Sequence, residues 1–102
     1  MNIEVKSMKE VRREIDQIDK ELVSLLAKRQ KYVETAAFIK KDKNLIIDKA
    51  RIEEVIVNVK KFSSSLGLSE AISEPLWRKL IELSIEHEFN EFEKKQKLTK
   101  SI

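Results

Sequence analysis

The sequence contains no cysteine, one glycine, one proline and one histidine among its 102 residues. Without cysteine there is neither a disulfide framework nor a thiolate metal site; this suits a reducing compartment, and the cytoplasm is the expected location. A single glycine and a single proline leave few turn positions, which favours a small number of long helices and an all-α fold. No apolar run approaches the roughly 18 residues of a membrane-spanning helix, and the N-terminus lacks the regions of a signal peptide, so no membrane association is expected. Neither sign of charge is in large excess. The 21 basic and 18 acidic side chains give a net charge of +3, too balanced to argue for nucleic acid and well suited to a small anionic ligand. No glycine-rich phosphate loop, activated nucleophile or metal motif is visible. His87 has no second ligand at metal spacing and reads as an exposed helical residue, so neither a metal nor a cofactor is expected.

What the chain does have is helical periodicity. Ser7 and Glu10 form an S-x-x-E capping box, and good helix formers then continue to about Lys41. Asp48 is a plausible N-cap for a second helix whose buried face is Ile52, Val55, Ile56 and Val59, ending near Phe62. Ser63, Ser64, Ser65, Leu66 and Gly67 read as the clearest loop, because serines compete for backbone hydrogen bonds and glycine tolerates positive φ. Ser69 or Ser73 caps a third helix, with Pro75 near its beginning and Trp77, Leu80, Ile81, Ile85, Phe89 and Phe92 along it. The basic tail from Lys94 to Ile102 reads as frayed, which leaves one domain over residues 1–102 with an ordered core of about 7–94.

The first helix, at 1.5 Å per residue, would be about 50 Å long, whereas a globule of this size is roughly 35 Å across. Its own chain cannot cover it. The apolar stripe therefore predicts a partner, and a symmetric homodimer is the commonest solution.

One charge interrupts that stripe. Stepping by three and four from Met8 gives Val11, Ile15, Ile18, Leu22 and Leu25, then Arg29, then Tyr32, Ala36 and Ile39. An unpaired buried guanidinium costs several kcal/mol, so something anionic should meet Arg29. Lys40 follows eleven residues later, on the same face and about 16 Å along the axis, so the two cations can bracket one small anion. Arg12 lies about 25 Å from Arg29 and 100° around the helix. It is either simply solvated or, in a dimer, available to the other subunit's site.

The third helix shows a second interruption, where Ser84 and Glu88 stand one turn apart on the row Trp77, Ile81, Ser84, Glu88, Phe92. Burial would favour a neutral Glu88 able to donate a hydrogen bond, and nearby cations would favour its carboxylate. A structural ion pair with a lysine is the alternative reading. Asp48 and Arg51 form an i,i+3 pair in which capping explains Asp48 as well as binding does.

Taken together, these residues resemble the AroQ class of all-helical, type II chorismate mutases. VRREIDQIDKELVSLLAKRQKYVETAAFIKK, from Val11 to Lys41, is similar to that family's first helix, with its R-x-x-I-x-x-I-D-x-x-L-x-x-L-L-x-x-R run. Asp48 with Arg51, and LWRKLIELSIEHE from Leu76 to Glu88, extend the match. The resemblance implies three helices per chain, interlocked as a homodimer whose sites use residues of both subunits. It implies an intramolecular rearrangement of chorismate to prephenate, in the synthesis of phenylalanine and tyrosine. Such a reaction needs a compact substrate conformer and charge stabilisation at the ether oxygen, and no cofactor. By resemblance, Arg29 and the partner subunit's Arg12 would bind substrate carboxylates, with Arg51 and Ser84 assisting; Lys40 would contact the ether oxygen and Asp48 the ring hydroxyl.

Two positions depart from the family pattern. Glu88 stands where many members have glutamine, and it must be protonated to donate to the ether oxygen, so activity should fall as pH rises and the acid ionises. Ile52 follows Arg51 where mutases usually carry a glutamate for the substrate hydroxyl, a loss of a few kcal/mol at most in transition-state binding. The related isochorismate pyruvate lyases, which make salicylate and pyruvate on the same fold, also have an apolar residue there. A third reading, of another class, is a non-catalytic helical dimer that binds a small anion or a protein.

Overall fold

The computed structural model describes residue 4 and residues 7–100. Among them are three helices, α1 (Met8–Ile39), α2 (Lys49–Leu66) and α3 (Glu70–Lys100), and a 3-10 turn at Lys43–Leu45; no described residue is in a strand. The expected all-α class and helix order hold. The chain divides into two units, Met1–Tyr32 and Val33–Ile102.

The described part of the first unit is essentially one helix. Its start is the capping box read from the sequence: the Ser7 hydroxyl accepts from the Glu10 amide at 3.3 Å. Its apolar stripe stays in the open, with Ile15 at 49%, Leu22 at 50% and Leu25 at 60% exposure. Arg29 alone is half-buried among residues 12–32.

The second unit begins with the last turns of α1. Lys40 follows the helix, its amide still bonded to the Ala36 carbonyl at 3.0 Å. Asp42 then caps the short 3-10 turn by accepting from the Asn44 amide at 2.8 Å. Asp48 caps α2, its carboxylate accepting from the Arg51 amide at 3.0 Å, a contribution of about 1 kcal/mol to a helix end. The core joins Ala37 of α1, Ile46 of the connection and Phe92 of α3, with Ile85 and Phe89 packed against them. Ile56 of α2 and Ile81 of α3 are also buried.

α2 runs past the expected end at Phe62 to Leu66. The serines expected to break it bond back to it instead, Ser63 Oγ to the Val59 carbonyl at 2.7 Å and Ser65 Oγ to the Phe62 carbonyl at 3.0 Å. A hydroxyl satisfied by its own helix no longer competes with it. The stop comes at Gly67, whose φ of 77° puts it in the left-handed region; the Leu68 amide then returns to the Ser63 carbonyl at 2.9 Å, the bond of a Schellman end.

Ser69 starts α3, its hydroxyl accepting from the Ala71 amide at 3.2 Å. Ser73, the alternative cap, lies inside the helix, wholly buried, with its hydroxyl lacking a hydrogen-bond partner. Pro75 falls in the second turn, where its missing N–H leaves the Ala71 carbonyl without the usual intrahelical donor. α3 continues as helix to Lys100, past the point near residue 94 where the sequence pattern lapses. Ser101 and Ile102 of the expected tail lie outside the described residues.

A charged network fastens α2 to α3. Lys60 reaches Glu74 at 3.2 Å, and Arg78 bridges Glu74 at 3.2 Å and Glu53 at 3.2 Å. Hydrogen bonds from Lys60 and then Arg78 hold the Glu74 carboxyl below its ordinary range. A depressed carboxyl contributes stability above its unfolded value, and that contribution is lost as pH falls through the lower folded one. Glu74→Gln should therefore lower the urea midpoint at pH 7, by less at high salt, and the gap to the wild type should close as pH drops below about 4; a constant gap would show that the network contributes nothing.

Candidate active site

The best-defined polar centre of the second unit is a pair of opposite charges. Lys40 Nζ donates to both Glu88 carboxylate oxygens, at 3.0 and 3.1 Å. Glu88 is buried at 6% exposure, while the Lys40 side chain keeps 27%. The structural ion pair with a lysine is therefore the arrangement observed.

Helix geometry explains the meeting. Lys40 is the first residue past α1, and Glu88 lies on α3 on the row that also buries Ile81 and Phe92. Ser84, one turn earlier on that row, is half-buried and donates to the Leu80 carbonyl at 2.7 Å. Asp48 and Arg51 are together at the start of α2, as their spacing implied. Asp48 has a capping role, and the exposed Arg51 guanidinium contacts Glu54 one turn on. Ile52 is half-buried beside them. Arg12 and Arg29 belong to the first unit, Arg12 exposed and Arg29 half-buried.

His87 departs from expectation. It is half-buried rather than exposed, and its Nε2 lies 2.6 Å from Glu34 Oε2. Glu91 joins them, with ligand atoms of the three residues all within 4.8 Å of one another. The missing ligands come from another helix and the next turn, so no sequence spacing announced them. Glu91 also receives Lys94 at 3.1 Å. The group acts as a strut between α1 and α3.

Sequence reading also passed over Lys95. Its ammonium donates to the Phe38 carbonyl at 2.6 Å and the Lys40 carbonyl at 2.9 Å. The available signal was its position seven residues after Glu88, two turns along the same face.

Chemically, this is an all-helical protein whose polar centre offers a cation and a carboxyl at one point. Such an arrangement serves reactions that need charge stabilisation rather than covalent attack. A family profile described as chorismate mutase type II matches residues 11–89, and the chain belongs to that family. A comparison with curated proteins found no match. No helix among the described residues is long and apolar enough to cross a membrane.

The buried pair predicts a stability asymmetry. Glu88→Ala strands the Lys40 ammonium and should cost about 1–3 kcal/mol, the lower part of the usual range because Lys40 is partly solvated. Glu88→Gln retains an acceptor and should cost about half as much. Equal unfolding midpoints for the two variants would mean that the contact carries no energy.

Proposed function

We propose that the chain is a chorismate mutase, converting chorismate to prephenate within aromatic amino acid biosynthesis. The observation that carries this reading is the Lys40–Glu88 contact, 3.0 Å across and largely shielded from water. In the rearrangement the ether C–O bond breaks as a C–C bond forms within the same molecule, and negative charge develops on the ether oxygen. An ammonium held at that oxygen stabilises the transition state more than the ground state, and this difference is what accelerates a reaction. In this reading Lys40 supplies that charge.

Glu88 has the second role, as a proton donor to the same oxygen. In the resting pair it accepts from Lys40, so substrate must enter between two groups now bonded to each other, with Glu88 taking up a proton. On this reading activity falls as pH rises. Arg29, Arg51 and the partner subunit's Arg12 bind the two substrate carboxylates in this reading; Ser84 assists, and Asp48 meets the ring hydroxyl.

In this reading a second copy supplies Arg12. Support comes from α1, whose exposed Ile15, Ile18, Leu22 and Leu25 would be covered in a homodimer. Burial of apolar area at about 25 cal/mol per Å2 makes that cover a large stabilising term. We therefore take the interlocked homodimer as the active form.

Ile52 favours a second reading, isochorismate pyruvate lyase, since isoleucine rather than glutamate stands directly after Arg51, where a glutamate would meet the chorismate hydroxyl. Turnover of purified protein with chorismate and, separately, isochorismate distinguishes the two, with prephenate and salicylate followed by NMR between pH 5 and 8. The mutase reading expects prephenate, formed faster at the lower pH. It expects a loss of about 100-fold or more in kcat for Lys40→Ala with the dimer retained, and a flattened pH profile for Glu88→Gln. Salicylate formed at the higher efficiency would make the protein a lyase, and silence with both substrates would leave a binding module.

A further inference from the structure

α1 ends without a cation of its own in its last turn, although the final carbonyls of a helix lack intrahelical donors and carry the negative end of its dipole. Lys95, on α3, supplies what is missing. Its ammonium donates to the carbonyls of Phe38 and Lys40 and lies 5.5 Å from the centre of the Phe38 ring and 5.1 Å from that of Phe92. The two rings and two carbonyls hold one charge at the helix end.

One of those carbonyls belongs to Lys40 itself. Lys40 lies just past α1, where no helical ladder fixes the backbone on its C-terminal side. Three contacts define it: its amide bonds to Ala36 at 3.0 Å, its carbonyl to Lys95 at 2.9 Å, and its ammonium to Glu88 at 3.0 Å. Two of the three come from α3. Glu88 and Lys95 are seven residues apart, so they share a face about 10 Å apart along the helix. α3 thus grips the side chain of Lys40 with a carboxylate and its backbone with an ammonium.

We propose that Lys95 is a positioning residue for Lys40, setting the direction in which the Lys40 ammonium is presented. The inference rests on the reading of Lys40 as the group that meets the ether oxygen. When substrate separates Lys40 from Glu88, the Glu88 contact no longer aims it, and the Lys95 bond to its carbonyl remains. Removing that bond should therefore affect the chemical step more than substrate capture, because small misplacements of a catalytic group cost rate steeply.

The test uses the full chain with Lys95→Met, which keeps the apolar stem and loses charge and donors, and Lys95→Arg, which restores both. Lys94→Met is the control, since Lys94 is exposed and pairs with Glu91. The expected result is a fall in kcat for chorismate of about tenfold in Lys95→Met with KM changed less than about twofold, substantial recovery in Lys95→Arg, and no change in Lys94→Met. An unchanged kcat, or a loss that disappears on cooling to where both proteins are fully folded, would overturn it. The 1H–15N signal of the Lys40 ammonium, assigned by its absence in Lys40→Met, provides a readout independent of turnover. It should shift or broaden in Lys95→Met and return in Lys95→Arg. A wild type without mutase turnover would overturn the reading of Lys40 and leave this NMR comparison to decide the positioning, with an unmoved Lys40 signal counting against it.

Discussion

Lys40 and Glu88 meet where the end of α1 crosses α3, and much of the second unit is arranged to keep them together. A carboxylate at 6% exposure has lost most of its hydration, a penalty of several kcal/mol unless a well-placed partner compensates. Compensation requires that Lys40 leave α1 at the right place and in the right direction. Ala37 of α1 and Ile46 of the connection pack against Phe92, which fixes the crossing from the apolar side. Lys95 ties the carbonyls at the helix end, and the Glu34–His87 contact adds a polar link three residues before Ala37. The core, the cap and the strut all act on the same few residues.

The balance of burial shows a chain with more apolar surface than it covers. Among the described residues the buried hydrophobic ones are Ala37, Ile46, Ile56, Ile81 and Phe92, while Ile15, Ile18, Leu22 and Leu25 of α1 remain exposed. Folding stability is a small difference between large terms, so covering that stripe with another copy would couple stability to assembly. In the proposed dimer the same contact would supply Arg12. Completing the apolar surface and completing the site would then be one event.

Legibility of the chain followed the range of the interactions involved. The capping box at Ser7, the N-cap at Asp48 and the left-handed Gly67 are local devices acting within a few residues, and each is present at its expected position. The serines at 63–65 were misread because their hydroxyls have two local choices, to break the helix or to bond back to it, and Ser63 is buried where only the second is satisfied. His87 was misread because Glu34 lies 53 residues away. The polar pair at Ser84 and Glu88 was legible as an interruption of an apolar row, and Lys40 as a cation in register with Arg29. That Lys40 and Glu88 are each other's partner was not.

The sequence by itself determined the helical class, the helix order, most of the caps and the family, since these depend on composition, on periodicity and on motifs spaced along one strand of chain. It also marked which polar residues sit on apolar faces. Only the tertiary structure decided which of them meet: Lys40 with Glu88, His87 with Glu34, and Lys95 with the end of α1. The physical reason is that ion pairs and caps between helices depend on where two helices cross, and the crossing is set by packing among Ala37, Ile46 and Phe92 rather than by any spacing within a single helix.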